Sequence, residues 1–285
     1  MINSKKDVTI IIISHKSKKK VTKLIRNISN ENKIIIVENS KDKSIEKELS
    51  NFKNNVQLIF SENNGYGSAI NLARTHVATK YFFVLNPDMQ KIDDKLISVF
   101  YESAKELNDN FGALGPRFEN VNEKSHKQSN INEKYGQIES ISGSAMFFCT
   151  EVFDKNGGFD ENFFLYFEET DYCYRSNKNK YKIYQVNSQR VQHDIGTSVE
   201  TTSKVEANKF KDLYAWHFIW SKFYFTKKKK GYFLSLFIFT PILLRTIIKM
   251  IYYKGIRNIT QEKHYQIRLD GLLSSIMGQK SIKRP

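Results

Sequence analysis

An acidic residue lies just beyond the end of an apolar run near the first third of the chain. The run Tyr81–Leu85 is aromatic and β-branched, and it stops at Asn86-Pro87-Asp88. A buried strand that carries an acidic residue at its carboxyl end is a common way for an α/β sheet to present a metal ligand to a cleft. Mg²⁺ and Mn²⁺ bind oxygen ligands and bridge substrate phosphates with only one or two protein carboxylates. Asp88 is therefore predicted to bind a divalent metal. An Asn-Pro-Asp turn that only ends a strand would have the same sequence.

A second acidic group, Glu168, Glu169 and Asp171, follows the aromatic-rich run Phe163–Phe167 at the predicted start of a helix. Neighbouring like charges and apolar surroundings both raise the pKa of a carboxyl group. A raised pKa suits a general base that takes a proton from a hydroxyl group. The group is therefore a candidate for acid–base chemistry. Acidic residues also favour the first turn of a helix through the helix dipole, and Asp171 fits that structural role as well.

Strands and helices alternate through the first part of the chain. The predicted strands are residues 8–14, 33–37, 56–60 and 81–85, and the predicted helices are residues 21–28, 43–52, 68–77 and 93–107. This alternation indicates βαβ units and a mostly parallel α/β sheet with flanking helices. Ligands of such sheets bind at the carboxyl ends of the strands, which is where Asp88 lies.

The middle of the chain is less regular. Its predicted elements are a short strand near Ala113, a polar loop at 117–137, a strand at 145–149, a turn at 157–160, a helix from about Glu169 and a further strand. His193 follows that last strand. A neutral imidazole can complete the coordination of a divalent ion, but a lone histidine is more often structural.

Positive charge is concentrated towards the carboxyl end. The chain has a formal net charge of +15, and residues 204–285 contribute +13 of it, with 17 Lys and Arg against 4 Asp and Glu. The remaining residues are nearly balanced, so the charge does not indicate a nucleic-acid-binding protein. Cys149 and Cys173 show no metal-binding spacing and are expected to be free, buried thiols in a reducing compartment. No secretory signal is expected before the first strand, so the sequence predicts a cytoplasmic location.

The basic segment is also rich in aromatic and aliphatic residues. The uninterrupted apolar part, Tyr232–Leu244, has 13 residues and contains Pro241. About 20 residues are needed to span a bilayer, so an interfacial amphipathic segment on an anionic membrane surface is predicted instead. The alternative is a set of ordinary helices that pack on the preceding domain.

Several segments, in this order, resemble the family 2 glycosyltransferases, which are inverting nucleotide-sugar transferases with a GT-A fold. They are IIIISHKS, VENSKD, ENNGYGSAIN, LNPDM and the block SGSAMFF, GGFDENFFLYFEETDYCYR and QHDIGTS. The chain is most similar to the rhamnosyltransferase-type members that build bacterial surface polysaccharides. Each segment alone is weak evidence, but their order and spacing together are specific.

The resemblance assigns roles to individual residues. Asp88 lies at the family's DxD-type motif and His193 at its histidine-glycine-serine segment, and both are expected to hold Mg²⁺ or Mn²⁺. The base is expected at the second acidic position, Glu169. The family usually has Glu-Asp here, so Glu168 as the base and a shifted acceptor both stay open. The expected contacts to the nucleotide sugar are Ser14, His15, Glu38, Asn63, Gly65, Tyr66, Asn71, Asn86, Gly143 and Ser144.

The sequence thus predicts a GT-A catalytic domain at 1–203 and a helical, membrane-associating segment at 204–285. The predicted reaction is metal-dependent, inverting transfer from dTDP-rhamnose or a UDP-sugar to a glycan acceptor, which is expected to be lipid-linked. Two other classes stay open. A sugar-phosphate nucleotidyltransferase would need a glycine-rich loop to grip a triphosphate, and HKSKKK has no glycine. A noncatalytic protein that binds membranes or nucleic acids would explain the basic tail but not the acidic FEETD segment.

Overall fold

The computed structural model describes residues 4–28, 31–50, 52, 55–119, 128–194 and 196–285. The strands are β1 (Val8–Ser14), β2 (Lys33–Glu38), β3 (Val56–Phe60), β4 (Tyr81–Leu85), β5 (Met89–Gln90), β6 (Phe111–Phe118), β7 (Tyr135–Ile138), β8 (Ala145–Cys149) and β9 (Lys182–His193). The helices are α1 (Ser4–Asp7), α2 (Lys18–Ile25), α3 (Ser44–Leu49), α4 (Tyr66–Arg74), α5 (Asp94–Glu106), α6 (Thr150–Lys155), α7 (Glu168–Lys178), α8 (Lys204–Lys230), α9 (Tyr232–Gly255) and α10 (Ile259–Ile276).

The strands form one sheet in the order β3-β2-β1-β4-β8-β6-β9-β5, and β7 pairs with β9 outside this order. β1 to β4 are mutually parallel. β8 runs antiparallel to both β4 and β6, and β6 is parallel to β9. β5 and β7 run antiparallel to β9. Of the strands in the described residues, all except β5, β7 and β8 therefore point the same way, and the predicted mostly parallel α/β sheet is confirmed.

Apolar layers cover both faces of the sheet. Along β1, Ile10 and Ile12 belong to one buried cluster, whereas Ile11 and Ile13 belong to another. Successive side chains of a strand point to opposite faces, so the two clusters lie on opposite sides of the sheet. A strand that is buried on both faces is continuously apolar, which explains the pattern of β1. Cys149 and Cys173 are free and buried, as predicted.

Some predicted boundaries were wrong by a few residues. α2 begins at Lys18 instead of Val21, because its first turn is made of lysines and carries no apolar signal. The polar loop predicted at 117–137 was wrong at both ends, since Arg117 and Phe118 continue β6 and residues 135–137 begin β7. Residues 120–127 of that loop lie outside the described residues. The short elements β5 and α6 were not predicted.

The chain divides into two compact units. One contains residues 1–160 and 169–200, and the other contains residues 161–168 and 201–285. In the second unit, α8 begins after Ser203, whose hydroxyl accepts a hydrogen bond from the Glu206 backbone N–H at 3.2 Å. The three helices of this unit share a small apolar core that includes Phe223, Phe239 and Leu272. Within the described residues, α9 is the helix that is long and apolar enough to cross a membrane, by length and composition only.

Candidate active site

The pairing of two strands brings Asp88 and His193 together. Met89 of β5 lies opposite His193 at the end of β9. Asp88 precedes Met89, and its Oδ1 atom lies 3.2 Å from His193 Nε2. The Ser198 hydroxyl donates a hydrogen bond to the other carboxylate oxygen, Oδ2, at 2.6 Å. The two predicted metal ligands, 105 positions apart in the chain, are therefore neighbours in the fold.

The surroundings of Asp88 keep its carboxyl group ionised. Burial raises the pKa of Asp88, but the close contact with His193 and the hydrogen bond from Ser198 outweigh this effect. The resulting pKa lies below its ordinary value. The anionic form is the one that binds a cation.

The geometry of this pair fits a divalent ion. Two ligands at adjacent corners of an octahedron, each about 2.1 Å from Mg²⁺, are about 3 Å apart, close to the separation of Asp88 Oδ1 and His193 Nε2. No group of three or more His, Cys, Asp or Glu suited to a metal occurs among the described residues. An ion held by Asp88 and His193 would therefore need ligands from phosphate groups or water.

The adjoining ends of β1 and β2 form a polar network. Ser14 lies opposite Glu38 in the sheet, and its hydroxyl donates to Glu38 Oε2 at 2.5 Å. The Ser40 backbone N–H donates to Glu38 Oε1 at 2.7 Å, and the Ser40 hydroxyl donates to the same oxygen. Glu38 is buried, so it fixes the two loops that leave these strands. Its predicted contact to a pyrimidine stays a prediction.

His15 extends this network toward the next loop. Its Nδ1 atom lies 2.8 Å from Asn39 Oδ1 and 3.4 Å from Asn63 Nδ2. Burial lowers the pKa of His15, so the neutral imidazole is favoured. A neutral ring can accept and donate one hydrogen bond, as a base-binding group must.

Tyr66 joins two other predicted contact residues, Asn86 and Gly143. Its hydroxyl lies 2.8 Å from Asn86 Oδ1 and 2.7 Å from the Gly143 carbonyl oxygen. The Asn86 backbone N–H donates to the Ser144 carbonyl at 2.8 Å. Gly65 precedes Tyr66 with a φ of 114°, which a side chain would disfavour, and so sets the start of α4. This network ties the strand end that carries Asp88 to the loop before β8.

Glu169 lies beside the same loop. A Cβ atom added at Gly143 would be 3.7 Å from the Glu169 Cδ and Cγ atoms and 3.8 Å from Tyr66 Cε1. Burial raises the pKa of Glu169, and the hydrogen bonds of Thr170 oppose that effect only in part. The carboxyl group thus has the elevated pKa that its predicted role requires.

Two of the predicted residues have other partners. Asp171 is buried, and its Oδ2 atom accepts a hydrogen bond from Arg175 Nε at 2.8 Å. Asn71 binds the backbone of Phe159 twice, donating to its carbonyl at 2.9 Å and accepting from its N–H at 3.0 Å. Both residues thus hold the segment that leads to α7, and their predicted contacts with substrate stay predictions. Glu168 is buried at the start of α7.

Comparison with known proteins decides the family. A sequence model described as "Glycosyl transferase family 2" matches residues 9–156, which is more than half of the chain. The chain belongs to this family. The matched region runs from β1 to the end of α6, so it includes Asp88 and ends before Glu169 and His193.

Relatives of the family 2 chain agree with this assignment. The chain is 27% identical over 122 residues to the "Low-salt glycan biosynthesis hexosyltransferase Agl10" of Haloferax volcanii. The match covers 36% of this chain and 38% of that protein. The chain thus spans well under half of the curated relative in this match.

Solved structures show the same fold. The crystal structure of S. aureus TarS 1-349 in complex with UDP-GlcNAc has a TM-score of 0.54 at 15% identity, over 95% of this chain and 92% of that one. GalNAc-T7 with UDP, GalNAc and Mn²⁺ has a TM-score of 0.54 at 10% identity, over 73% of this chain and 50% of that one. The predicted GT-A fold and family 2 membership are confirmed. Donor, metal, acceptor and stereochemistry stay predictions.

Sequence reasoning missed several residues of the site. Ser198, Ser40 and Asn39 all contact predicted site residues, but they lie in loops without a periodic pattern. Ser198 could have been found as the last residue of the quoted segment QHDIGTS.

Proposed function

We propose that this chain is a metal-dependent, inverting glycosyltransferase that moves a sugar from a dTDP- or UDP-sugar, with dTDP-rhamnose as one candidate donor, to a hydroxyl group of a glycan. The observation that supports it best is the convergence of Asp88 and His193 at 3.2 Å beside the network that reaches Glu169. Residues 1–203 form the catalytic domain in this proposal, and residues 204–285 form a membrane-associating helical segment.

The donor half of the site binds the nucleotide diphosphate. Asp88 and His193 would hold Mg²⁺ or Mn²⁺, which supplies positive charge to the diphosphate leaving group. His15, Asn63 and the loops fixed by Glu38 form the surface for the base and ribose. The known complex of S. aureus TarS with UDP-GlcNAc is a reason to test UDP-sugars first.

On the acceptor side of the site, a carboxylate removes a proton from the acceptor. Ionised Glu169 takes the proton of the acceptor hydroxyl as its oxygen attacks the anomeric carbon from the face opposite the diphosphate. The new carbon–oxygen bond forms as the bond to the diphosphate breaks, and the nucleoside diphosphate leaves with the electron pair. One such displacement inverts the anomeric configuration. A lipid-linked glycan in surface polysaccharide synthesis, at the cytoplasmic face of a membrane, is the proposed acceptor.

The decisive experiment is a screen of UDP-, dTDP- and GDP-sugars with the full chain, with and without Mg²⁺ or Mn²⁺, in which release of nucleoside diphosphate is measured. We expect one donor class to react, only with metal. Asp88→Ala should abolish metal-dependent donor binding, and Glu169→Gln should retain donor binding but lose transfer by about 10²- to 10⁴-fold.

Glu139→Gln is a matched control, because Glu139 is an exposed glutamate outside the described network. It should leave donor binding and transfer unchanged. Near-normal transfer by either the Asp88 or the Glu169 variant would refute the assigned roles. Retention of anomeric configuration in the product, read by NMR, would refute single displacement.

A further inference from the structure

Exposed apolar side chains are concentrated in the helical unit. Of 18 exposed large hydrophobic residues in the described part of the chain, 15 lie at or beyond Val205. α9 carries the densest group, with Phe233 84% and Phe237 76% exposed. Only 17% of its most apolar 18-residue window is buried. Isolated apolar residues on a surface are ordinary, but a contiguous set marks an interaction surface.

Five of the exposed apolar side chains of α9 share one face of the helix. Phe233, Phe237, Leu244, Ile248 and Ile251 are spaced by four, seven, four and three residues, which places them on one side of an α-helix. We call these five residues the outer face of α9. The side that carries Ser235, Phe239 and Thr246 is buried. Phe239 packs with Phe223 of α8 at a ring-centroid distance of 5.1 Å. The outer face is therefore not needed for the packing of the described helices.

The charged residues of α9 and of the segments that flank it in the sequence are all positive. Between Asp212 and Glu262 there is no Asp or Glu, whereas nine Lys and Arg occur there. Lys227–Lys230 precede α9, and Lys254 and Arg257 flank its other end. Arg245 and Lys249 each follow an outer-face residue by one position, about 100° around the helix, so they flank the apolar stripe. Apolar residues bordered by cations complement a surface of anionic headgroups above acyl chains.

We propose that the outer face of α9 binds an anionic phospholipid bilayer, with the helix axis in the plane of the interface. A spanning orientation would place Arg245 near the centre of the hydrocarbon layer. It would also bring α10 into the bilayer, because Lys249 Nζ lies 3.0 Å from the Tyr265 hydroxyl of that charged helix. The interfacial orientation leaves both cations in the headgroup region. This proposal rests on the helical unit and not on the proposed reaction.

Flotation of the full chain with lipid vesicles tests the proposal. Vesicles of phosphatidylcholine with roughly a third phosphatidylglycerol should bind the chain, and pure phosphatidylcholine vesicles should bind it much more weakly. Phe237→Gln with Ile248→Gln should lower the partition coefficient by at least about tenfold, since both side chains would otherwise enter the acyl boundary. Sodium chloride at about 1 M should also weaken binding.

A double variant, Val205→Gln with Ile131→Gln, is the matched control, because both residues are exposed and lie off α9. It should bind like the wild type, and both double variants should show wild-type circular dichroism and thermal unfolding. Equal binding by the α9 variant, or no binding by the wild type, overturns the proposal. Resistance of bound chain to alkaline carbonate extraction overturns the interfacial orientation. Self-association that is lost in the α9 variant, without any vesicle binding, assigns the face to a second copy and also overturns it.

Discussion

Glu169 is a carboxyl group whose protonated form the fold favours. Its folded-state pKa is raised by burial, so the folded chain binds this proton more tightly than the unfolded chain does. The stability that this proton contributes is present below the unfolded pKa and is lost as pH rises through the folded pKa. As pH rises above the ordinary glutamate pKa, keeping this carboxyl group buried therefore costs increasing stability.

Glu169→Gln should therefore raise the unfolding temperature at neutral and mildly alkaline pH, while transfer is lost. This increase in unfolding temperature should become smaller as pH falls toward the ordinary glutamate pKa, because Glu169 of the wild type is then protonated. Thermal unfolding followed by calorimetry across this range measures the effect. A variant that is less stable than the wild type at every pH would show that the carboxylate has a structural partner.

Ser198 should act on the metal through Asp88. Its hydroxyl donates to Asp88 Oδ2 at 2.6 Å, so it fixes the orientation of the carboxylate. Groups that orient metal ligands typically contribute 10- to 100-fold to metal affinity or activity, and Ser198→Ala should raise the Mn²⁺ concentration for half-maximal donor binding by about that factor. Titration of donor binding with Mn²⁺ measures it. Ser188→Ala, at an exposed serine in β9, should leave the midpoint unchanged.

At the scale of elements, the turn before α7 depends on a glycine that has no room for a side chain. Gly158 has a φ of 62°, and an added Cβ would lie 2.9 Å from Asn71 Oδ1. Gly196 has a φ of 79° with nothing within 4 Å of such an atom. Gly196→Ala should cost about 1 to 2 kcal/mol for the left-handed backbone alone, and Gly158→Ala should cost more. Urea unfolding of both variants gives the comparison, and equal costs would show that Asn71 yields without penalty.

Elements with a strong apolar pattern were predictable from the sequence, and very short elements were not. β1 and β4 are continuous apolar runs, and both lie where they were predicted. β5 has two residues, Met89 and Gln90, which is too short for any pattern. Yet the pairing of β5 with β9 is what brings His193 to Asp88. Asp88 and His193 were thus predicted as metal ligands from the sequence, and their contact was visible only in the fold.

At the scale of the whole molecule, the division of the chain was only partly predictable. Composition placed the basic helical segment from residue 204, and α8 begins there. Residues 161–168 also belong to the helical unit, where Phe167 packs on Phe218 and Phe225 at 5.6 and 5.8 Å. The local sequence does not show that residues 161–168 belong to a different unit from their neighbours. The reason is that the residues on which their aromatic side chains pack lie about 50 or more positions away in the sequence.

The helical unit contains a buried histidine that should make its stability depend on pH. His217 Nε2 lies 2.9 Å from the Lys283 carbonyl oxygen, and Nδ1 lies 2.9 Å from the Ser281 hydroxyl. Burial, aided by the nearby charges of Arg284 and Lys283, lowers its pKa to about 4, although the hydrogen bond to the Lys283 carbonyl opposes this. The folded unit thus holds the neutral ring, and the unfolded chain takes up the proton first as pH falls.

The stability that neutral His217 contributes should therefore be fully present above about pH 6.5. The free energy of unfolding should fall by about 3 kcal/mol as pH drops toward about 4. Both tryptophans of the chain, Trp216 and Trp220, lie in α8, so their fluorescence reports on this unit alone. Urea midpoints at about pH 7 and about pH 5 should differ more for the wild type than for His217→Gln, which cannot take up this proton. His76→Gln, at an exposed histidine, should retain the wild-type difference. A pH dependence that survives in the His217 variant would place its origin in other groups.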